Sequence, residues 1–376
     1  MLRRLMRRER PLRIMMTADA VGGVWTYALD LAEGLQASGH VVTLVVAGPR
    51  PSEIQRSQAE AVGAKLAEID APLDWTARDE AELAQAAAST AAAAASIHPD
   101  VLHLNSPSLA AYADFGLPTL GVCHSCLATW WSAVKGASLP ADQDWRQAAV
   151  ARGYSACDAL VAPSLAFARD TAARYERALP TVVHNGRSAA PARQSDRPAP
   201  LVLSAGRLWD GGKDFDTLDA AAALVSAPVV ALGSAVAPDG SRSRFMHLDA
   251  VGSVDAAGVA DWMARAQIFV STSRYEPFGL AVLEAAQAGL PLILSDIPTF
   301  RELWTGAADF VRPGDAAGFA AACNRLLGDP LARRLAGEAA RVRAGRYGMA
   351  RMTGDYLDLY RKLADVRVAA AAGACA

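Results

Sequence analysis

Short apolar runs rich in β-branched residues alternate with longer amphipathic patterns along almost the whole chain. The first three read PLRIMMTAD, VWTYALDLAEGLQASG and HVVTLVVAG, which are the patterns of a strand, a helix and a second strand. Strands that alternate with helices build βαβ units, and these units form a parallel sheet that helices cover on both faces. The alternation therefore predicts an α/β protein with Rossmann-like parallel sheets.

One stretch, RSAAPARQSDRPAP, interrupts the alternation with three prolines and no periodic apolar face. We interpret it as a linker between two α/β domains of similar size, which suits a chain of 376 residues. Apolar residues spaced by three and four near the end predict a helix that packs one face on a domain. The predicted segments are a basic flexible leader (1–11), an N-terminal domain (12–190), the linker (187–200), a second domain (200–345), a C-terminal helix (346–367) and a flexible tail (368–376).

Composition excludes several classes of protein. With 52% hydrophobic and 20% charged residues the chain is globular, and a net charge of -2 without an aromatic-interleaved basic stretch argues against a nucleic-acid partner. Five scattered cysteines indicate a reducing compartment without a disulfide framework. The C-x-x-C at Cys123–Cys126 lacks a second ligand pair at zinc spacing, so a metal or redox role is disfavoured.

The basic N-terminus has no apolar segment of the kind that a signal peptide needs, and no apolar run reaches transmembrane length. We therefore expect a cytoplasmic protein. The leader is interpreted as a solvated segment. The alternative is a weak peripheral contact with an anionic membrane surface, where each arginine would add on the order of 1 kcal/mol.

Glycine-rich turns follow the first predicted strand of each domain, where open α/β sheets bind their ligands. In DAVGGVW, Gly22 and Gly23 would admit a ligand to the start of a helix, or simply form a tight turn. In AGRLWDGGKDF, Arg207 and Lys213 would clamp a diphosphate, or remain solvated cations. Neither motif has the spacing of a dinucleotide fingerprint or of a phosphate loop, so dehydrogenases and NTPases are disfavoured.

His124 ends a predicted strand, so it is either a structural residue or a catalytic one. Two D-x-D matches, Asp142–Asp144 and Asp214–Asp216, lie in a polar loop and at a helix start, and we interpret both as structural rather than as metal ligands.

A tryptophan cluster follows His124. These side chains would stack on an acceptor or fill the core, and an acceptor-side role is favoured for at least one of Trp130, Trp131 and Trp145.

The stretch EPFGLAVLEAAQAGLP carries two glutamates, Glu276 and Glu284, in an otherwise apolar segment. Eight helical residues rise roughly 12 Å, which exceeds the separation of about 5–9.5 Å in a glycosidase carboxylate pair. That length is about the span from a sugar ring, across a diphosphate, to a ribose. The helix start would direct backbone N–H groups at the phosphates, and the residues concerned are Phe278, Gly279, Leu280 and Ala281.

Through these motifs the chain resembles the retaining glycosyltransferases of family 4 (glycosyl transferases group 1), which have the GT-B fold. The resemblance runs from about Arg13 to Tyr360. It rests on the GGV turn, on VVHNG, on GRL followed by a lysine, on VGSV at Val251–Val254, and above all on the two-glutamate motif. The GT-B fold implies two Rossmann-like domains that face a central cleft, the first on the acceptor side and the second binding the nucleotide sugar.

The resemblance also implies roles for single residues. Arg207 and Lys213 would hold the donor diphosphate and stabilise it as it leaves, while Glu276 would contact the donor sugar and Glu284 the ribose hydroxyl groups. The remaining implied donor contacts are Gly22, Gly23 and His124 in the first domain, and the backbone of Ser253 and Val254 at the nucleobase. Glu302 in FRELW matches a family glutamate, and Asp214 departs from the glycine that is usual there.

These expectations combine into a cytoplasmic, metal-independent retaining glycosyltransferase. Its donor would be a UDP- or GDP-linked sugar, its acceptor a saccharide, a polysaccharide precursor or a lipid, and it would need no cofactor. The alternatives are a GT-B-fold epimerase, which needs further acid and base groups, a phosphorylase, which generally carries a pyridoxal lysine, and a non-catalytic sugar-nucleotide-binding module. The presence of Arg207, Lys213, Glu276 and Glu284 favours the enzyme.

Overall fold

A computed structural model describes residues 10–188 and 200–374, with the side chains up to residue 365. Most of the predicted leader and linker, and the last two residues of the predicted tail, lie outside the described residues.

The first sheet has seven strands in the order β3-β2-β1-β4-β5-β6-β7. Its recorded pairings from β1 to β6 are parallel. The strands are β1 (Arg13–Asp19), β2 (Val41–Ala47), β3 (Lys65–Glu68), β4 (Val101–Leu104), β5 (Thr119–Val122), β6 (Ala159–Ala162) and β7 (Thr181–Val182). The helices of this part of the chain are α1 (Gly23–Ala37), α2 (Glu53–Ala61), α3 (Glu80–Ile97), α4 (Leu127–Lys135), α5 (Asp144–Ala156) and α6 (Leu165–Arg174).

The second sheet has six parallel strands in the order β10-β9-β8-β11-β12-β13. They are β8 (Val202–Ala205), β9 (Val229–Leu232), β10 (Asp249–Gly252), β11 (Ile268–Ser271), β12 (Leu292–Ser295) and β13 (Asp309–Val311). The helices are α7 (Phe215–Ala222), α8 (Ala256–Arg265), α9 (Leu280–Gln287), α10 (Pro298–Trp304), α11 (Ala316–Gly328), α12 (Pro330–Ala344) and α13 (Met349–Ala374). The predicted α/β class with two parallel sheets is confirmed.

Polar residues fix the starts of several helices. Ser52 forms a reciprocal capping box with Gln55, and the side chains of Asp79 and Ser164 accept hydrogen bonds from the backbone N–H groups three residues on. Each cap satisfies an N–H group that has no partner inside its helix. The inner strands are buried on both faces, as the apolar runs predicted.

Both sheets reverse their strand order at a central strand. β1 lies beside both β2 and β4, and β8 lies beside both β9 and β11. Loops that leave neighbouring strands in opposite directions open a crevice at the carboxyl edge, which is where such sheets bind ligands. Ligands are therefore expected at the loops after β1, β4, β8 and β11.

The chain divides into two compact units whose boundaries differ from the predicted domains. One unit runs to Cys126 and also includes Pro140–Ala162 and the chain from Met349, while the other comprises Leu127–Leu139 and Pro163–Gly348. The stretch from Pro163 onwards is hydrogen-bonded to the second unit: Ser164 Oγ donates to the Pro277 carbonyl at 2.8 Å, and the backbone N–H groups of Leu165 and Ala166 donate to the Glu302 carboxylate.

The C-terminal helix α13 packs on α1 in the first unit. Gly34 makes this contact close, since a β-carbon there would stand 2.0 Å from Thr353 Oγ1. Met352, Tyr356 and Tyr360 of α13 are buried. The helix continues to Ala374, past its expected end at residue 367, because alanine is the best helix former. None of the described helices combines the length and the apolar character needed to cross a bilayer.

Candidate functional site

Two loops at the carboxyl edge of the second sheet are joined by backbone hydrogen bonds. The loop at 206–214 follows β8, and the loop at 272–279 follows the neighbouring strand β11. The N–H groups of Arg274 and Tyr275 both donate to the carbonyl of Gly212, at 2.9 and 3.1 Å. The fold thus brings two predicted motifs together, although more than sixty residues separate them.

Lys213 and Glu276 form an ion pair across these loops. Both side chains are largely buried, with 18% and 14% of their side-chain surface exposed. In a buried ion pair the attraction between the charges offsets the cost of desolvation only when the geometry is good. Here the Lys213 ammonium group lies directly beside the Glu276 carboxylate. The structure therefore places the cation predicted at the diphosphate next to the carboxylate predicted at the sugar.

Arg207 is oriented by Asp210, a residue that the sequence reasoning missed. Asp210 Oδ2 accepts hydrogen bonds from Arg207 Nη2 at 2.7 Å and Nε at 3.2 Å. Its other oxygen accepts from Gly212 N at 2.8 Å and Trp130 Nε1 at 2.9 Å. Burial alone would raise the pKa of Asp210, but the charge of Arg207 and these hydrogen bonds hold that pKa below its usual value. Asp210 is therefore an anion that leaves three of the five guanidinium N–H groups of Arg207 for a ligand.

The predicted tryptophans Trp130 and Trp145 have different surroundings. Trp130 supports the Asp210 loop, whereas Trp145 has the Arg146 guanidinium 4.4 Å above its ring and packs against a core cluster of the first unit. An acceptor-side role for one of the three tryptophans stays a prediction.

The helix that carries Glu284 begins later than the motif suggested. Gly279 is its cap residue with φ 95°, so α9 starts at Leu280, and the Phe278 side chain is buried in the core instead of lining the helix start. A β-carbon at Gly279 would also press on Glu276 Cγ at 3.3 Å. Gly279 is thus required by its backbone conformation and by the space that Glu276 occupies. The N–H groups of Leu280 and Ala281 lie in the first turn, as predicted.

Glu284 forms an ion pair with Arg187, and Gln287 Nε2 donates to the Arg187 carbonyl at 3.1 Å. The two glutamates of the motif therefore have different cationic partners, Lys213 for Glu276 and Arg187 for Glu284. Arg187 was not a predicted site residue, and its position as the first residue of the predicted linker gave no signal for this contact.

Glu302 holds the start of α6. Its carboxylate accepts hydrogen bonds from Leu165 N at 2.9 Å and Ala166 N at 2.6 Å, and His184 Nε2 lies 3.3 Å away. Burial would raise the pKa of Glu302, but the hydrogen bonds from His184 and the two N–H groups lower it. These contacts explain Glu302 as a structural anchor at a helix N-terminus.

Ser253 and Val254 follow β10, at the same edge of the second sheet. Gly252 has φ 92°, and its carbonyl accepts a hydrogen bond from Gly233 N at 2.8 Å, so the strand ends in a sharp turn. Ser253 is exposed, and Val254 packs partly against the core.

The first unit has its own predicted residues at strand ends. Gly22 is the cap of α1 and Gly23 its first residue, where an added β-carbon would meet nothing within 4 Å. His124 follows β5, and its Nε2 lies 2.7 Å from Oδ1 of Asn105, which follows β4. Burial lowers the pKa of His124 to about 3, so its imidazole is neutral. Asn105 is a second residue that the sequence reasoning missed.

Asp214, the departure from the family pattern, adopts a left-handed conformation with φ 52° and is buried. Its Oδ2 accepts hydrogen bonds from Thr217 Oγ1 at 2.7 Å and Arg274 Nε at 2.6 Å. The position suits glycine by its backbone, and here an aspartate occupies it because the carboxylate gains these two partners.

We expect Asp214→Ala to lower the free energy of unfolding by about 1–3 kcal/mol, because it removes the ion pair and keeps a β-carbon in the left-handed region. Asp214→Gly loses the same pair but relieves the backbone, so it should be more stable than the alanine variant by about 1 kcal/mol. Urea unfolding of the three proteins checks this. An alanine variant as stable as the glycine variant would contradict it.

The remaining aspartates of the D-x-D matches lie in ordinary structural positions. Asp142 is exposed in a short 3-10 turn, Asp144 begins α5, and Asp216 lies in the first turn of α7. Within the described ranges, no group of three or more histidine, cysteine, aspartate and glutamate side chains is arranged to hold a metal ion.

Two family models match the chain. The model described as "Glycosyltransferase Family 4" matches residues 21–190, and the model described as "Glycosyl transferases group 1" matches residues 199–329. Together they cover most of both α/β regions and contain every predicted site residue.

Curated relatives match shorter parts. A "Phosphatidyl-myo-inositol mannosyltransferase" of Propionibacterium freudenreichii is 31% identical over 214 residues, which are 52% of this chain and 54% of that protein. A "Glycogen synthase" of Mycobacterium tuberculosis is 42% identical over 95 residues, 25% of this chain and 23% of that protein. The chain thus spans between a quarter and about half of these relatives.

Among solved structures, a sucrose-phosphate synthase from Thermosynechococcus elongatus superposes with a TM-score of 0.73 at 21% identity. The match covers 94% of this chain and 99% of that one. At this identity the similarity concerns the fold.

Proposed function

The chain belongs to glycosyltransferase family 4 and has the GT-B fold, and from this premise we propose that it transfers a sugar from a nucleotide-sugar donor to an acceptor hydroxyl group with retention of anomeric configuration. The observation that carries the proposal is the ion pair of Lys213 and Glu276, with Arg207 oriented beside it by Asp210. Two fixed cations and one carboxylate on joined loops suit a ligand that has a diphosphate at one end and a sugar next to it.

The cations act on the leaving group. As the bond between the sugar C1 and the phosphate oxygen breaks, negative charge grows on the diphosphate, and Arg207 and Lys213 stabilise it because they are already in place. A phosphate that binds Lys213 replaces Glu276 as its partner, which frees the Glu276 carboxylate for the sugar. The N–H groups at the start of α9 add partial positive charge to the same region.

Retention follows if attack and departure use the same face of the sugar. In the proposed step an oxygen of the departing phosphate takes the proton of the acceptor hydroxyl group, while the acceptor oxygen forms the new bond to C1. Charge and atoms balance without a protein nucleophile. We also propose that transfer needs neither a metal ion nor a cofactor, because the two cations supply the positive charge that a metal would provide.

The acceptor is proposed as a saccharide, a polysaccharide precursor or a lipid. The names of the two relatives refer to a phosphoinositide lipid and to a polysaccharide, so acceptors of both kinds are considered. A cytoplasmic location, with or without peripheral contact to the membrane, is part of the same proposal.

The proposal predicts that sugar transfer or donor hydrolysis survives EDTA. UDP-glucose, UDP-N-acetylglucosamine and GDP-mannose are incubated with the protein, and the released nucleotide is measured. Loss of activity on chelation, with recovery on adding magnesium or manganese, would contradict metal independence. An isomerised sugar nucleotide as the product, without released nucleotide, would favour the epimerase.

Binding is tested separately by thermal shift with UDP, GDP and ADP. A nucleotide at about 100 times its dissociation constant should stabilise the protein by about 2.7 kcal/mol. We expect Arg207→Ala to abolish this shift. Arg325→Ala serves as a control, because it removes an exposed arginine paired with Asp309 and leaves the loop at 206–214 unchanged. A full shift in the Arg207 variant would contradict the assignment of this cation.

A further inference from the structure

A row of buried hydrogen bonds in the first unit leads from the C-terminal helix to His124. Tyr360 Oη lies 2.6 Å from His103 Nδ1, and His103 Nε2 lies 3.0 Å from Asn105 Oδ1. The same Asn105 oxygen lies 2.7 Å from His124 Nε2. Asn105, His103 and Tyr360 are buried, and none of them belongs to the motifs of the proposed donor site.

The Asn105 amide is held in one orientation by Thr17. The Asn105 backbone N–H donates to Thr17 Oγ1 at 2.9 Å, and its side-chain Nδ2 donates to the Thr17 carbonyl at 2.6 Å. A carbonyl oxygen only accepts hydrogen bonds, so the nitrogen of the amide must face Thr17. Its oxygen Oδ1 therefore faces the two imidazoles.

This orientation determines the tautomer of both histidines. An amide oxygen only accepts, so His103 and His124 both carry their proton on Nε2 and donate it to Asn105. Burial lowers the pKa of each ring to about 3, so both are neutral and each Nδ1 is unprotonated. The Nδ1 of His103 accepts from the hydroxyl group of Tyr360. Among the described residues, the hydrogen bonds of His124 are made by its Nε2 and its backbone N–H, and none joins its Nδ1.

We propose that Asn105 is a positioning residue that holds His124 in its Nε2–H tautomer and so presents Nδ1 as a hydrogen-bond acceptor to a hydroxyl group of a sugar substrate. The inference rests on the proposed function, since it gives His124 a sugar to contact. It also restricts the group that His124 Nδ1 can bind. An unprotonated nitrogen accepts a hydrogen bond from a hydroxyl group, but it has no proton to donate to a phosphate oxygen.

The tautomer is measured without any substrate. Protein labelled with ¹⁵N-histidine is recorded by long-range ¹H–¹⁵N correlation at neutral pH, and His124→Gln and His103→Gln assign the two rings. We expect a neutral Nε2–H ring at both positions. In Asn105→Ala the two nitrogens of His124 should shift towards averaged values, because nothing then selects one tautomer. An Nδ1–H ring for His124 in the wild type, or unchanged shifts in Asn105→Ala, would overturn the proposal.

Kinetics supply the second readout, using whichever of UDP-glucose, UDP-N-acetylglucosamine and GDP-mannose the wild type hydrolyses. Asn105→Ala should lower kcat about tenfold and change KM less than about threefold, since one oriented hydrogen bond is lost. The matched control is Thr17→Val, which removes a buried partner of the Asn105 backbone but keeps the carbonyl that orients its side chain. It should retain the His124 tautomer and kcat.

An equal loss of kcat in both variants would mean that Asn105 acts only through stability, and it would overturn the positioning role. A failure of the proposed function can be told apart from a failure of the positioning role. In the first case the wild type hydrolyses none of the three donors, but the spectra still show which tautomer His124 adopts.

Discussion

Replacing Glu276 with glutamine is expected to lower the turnover number for sugar transfer by roughly two to three orders of magnitude. The carboxylate is held beside Lys213, close to where the proposed donor carries its sugar. In the proposed transfer, positive charge develops on the sugar ring as the diphosphate leaves, and an anion there would stabilise the transition state more than the ground state. Initial rates at saturating donor measure this effect, because a loss confined to the transition state appears in kcat.

The same substitution should leave nucleotide affinity unchanged or slightly higher. Glu276→Gln removes the anion that neutralises Lys213, so the ammonium group becomes fully available to a diphosphate. Titration calorimetry with UDP and GDP measures the dissociation constants without any sugar. A large loss of nucleotide affinity in this variant would contradict the placement of Glu276 at the sugar end.

Glu284→Gln should lower nucleotide affinity and leave the turnover number nearly unchanged, the opposite of Glu276→Gln. The loss of a charge-assisted hydrogen bond to ribose would weaken nucleotide binding about 10- to 100-fold, with little effect on kcat. Arg187→Met is the matched control, because it removes the cation that pairs with Glu284 and leaves the carboxylate in place. It should bind nucleotide within about threefold of the wild type. If it loses as much affinity as Glu284→Gln, the ion pair rather than a ribose contact explains the effect.

The sequence predicted the two parallel sheets because their signals are local. Each buried strand is a short apolar run, and the glycines after β1 and β8 mark the turns that lead into the next helices. The carboxyl ends of parallel strands share one edge of the sheet, and at that edge the structure joins the loops of Lys213 and Glu276.

The residues that were missed act through contacts that no local pattern records. The role of Asp210 follows from the hydrogen bonds that its oxygens accept from Arg207 and Trp130. Trp130 lies 80 residues away in the sequence. Asn105 contacts Thr17 across 88 residues. Ser164 and Pro277, which a hydrogen bond joins, are 113 residues apart. Hydrogen bonds between such distant residues depend on the tertiary structure, and the periodicity of apolar residues along the chain does not predict them.

Mild acid is expected to destabilise the first unit, because His103 and His124 are neutral in the folded protein. Each pKa is lowered from 6.5 to about 3, for His103 by burial and the charge of His124, and for His124 by burial. From about pH 6.5 down to about pH 3 the unfolded chain therefore binds protons that the folded one does not. The stabilisation is fully present above about pH 6.5 and is lost progressively as the pH falls through this window.

The slope is about 1.4 kcal/mol per pH unit for one fully neutral histidine, and His124, being partly exposed, contributes less than His103. Acidification from about pH 6.5 to about pH 5 should thus remove on the order of 2–4 kcal/mol, a large part of the usual 5–15 kcal/mol of a folded protein. Carboxylates with a lowered pKa, such as Asp210 and Glu302, lose their contribution only below about pH 4. Burial raises the pKa of Asp74 and Asp170, which gives a slope of the opposite sign, so a histidine variant is needed to identify the share of the imidazoles.

Urea unfolding followed by circular dichroism at several pH values between about 5 and 7 measures the slope. His124→Gln should make the slope shallower, because glutamine keeps an N–H donor for Asn105 but does not titrate. A slope that His124→Gln leaves unchanged would show that folding does not lower the pKa of His124, and a free energy of unfolding that stays constant across this window would contradict the lowered pKa of both imidazoles. The Asn105 oxygen would still accept their Nε2–H groups, but the free Nδ1 acceptor on His124 would then be lost.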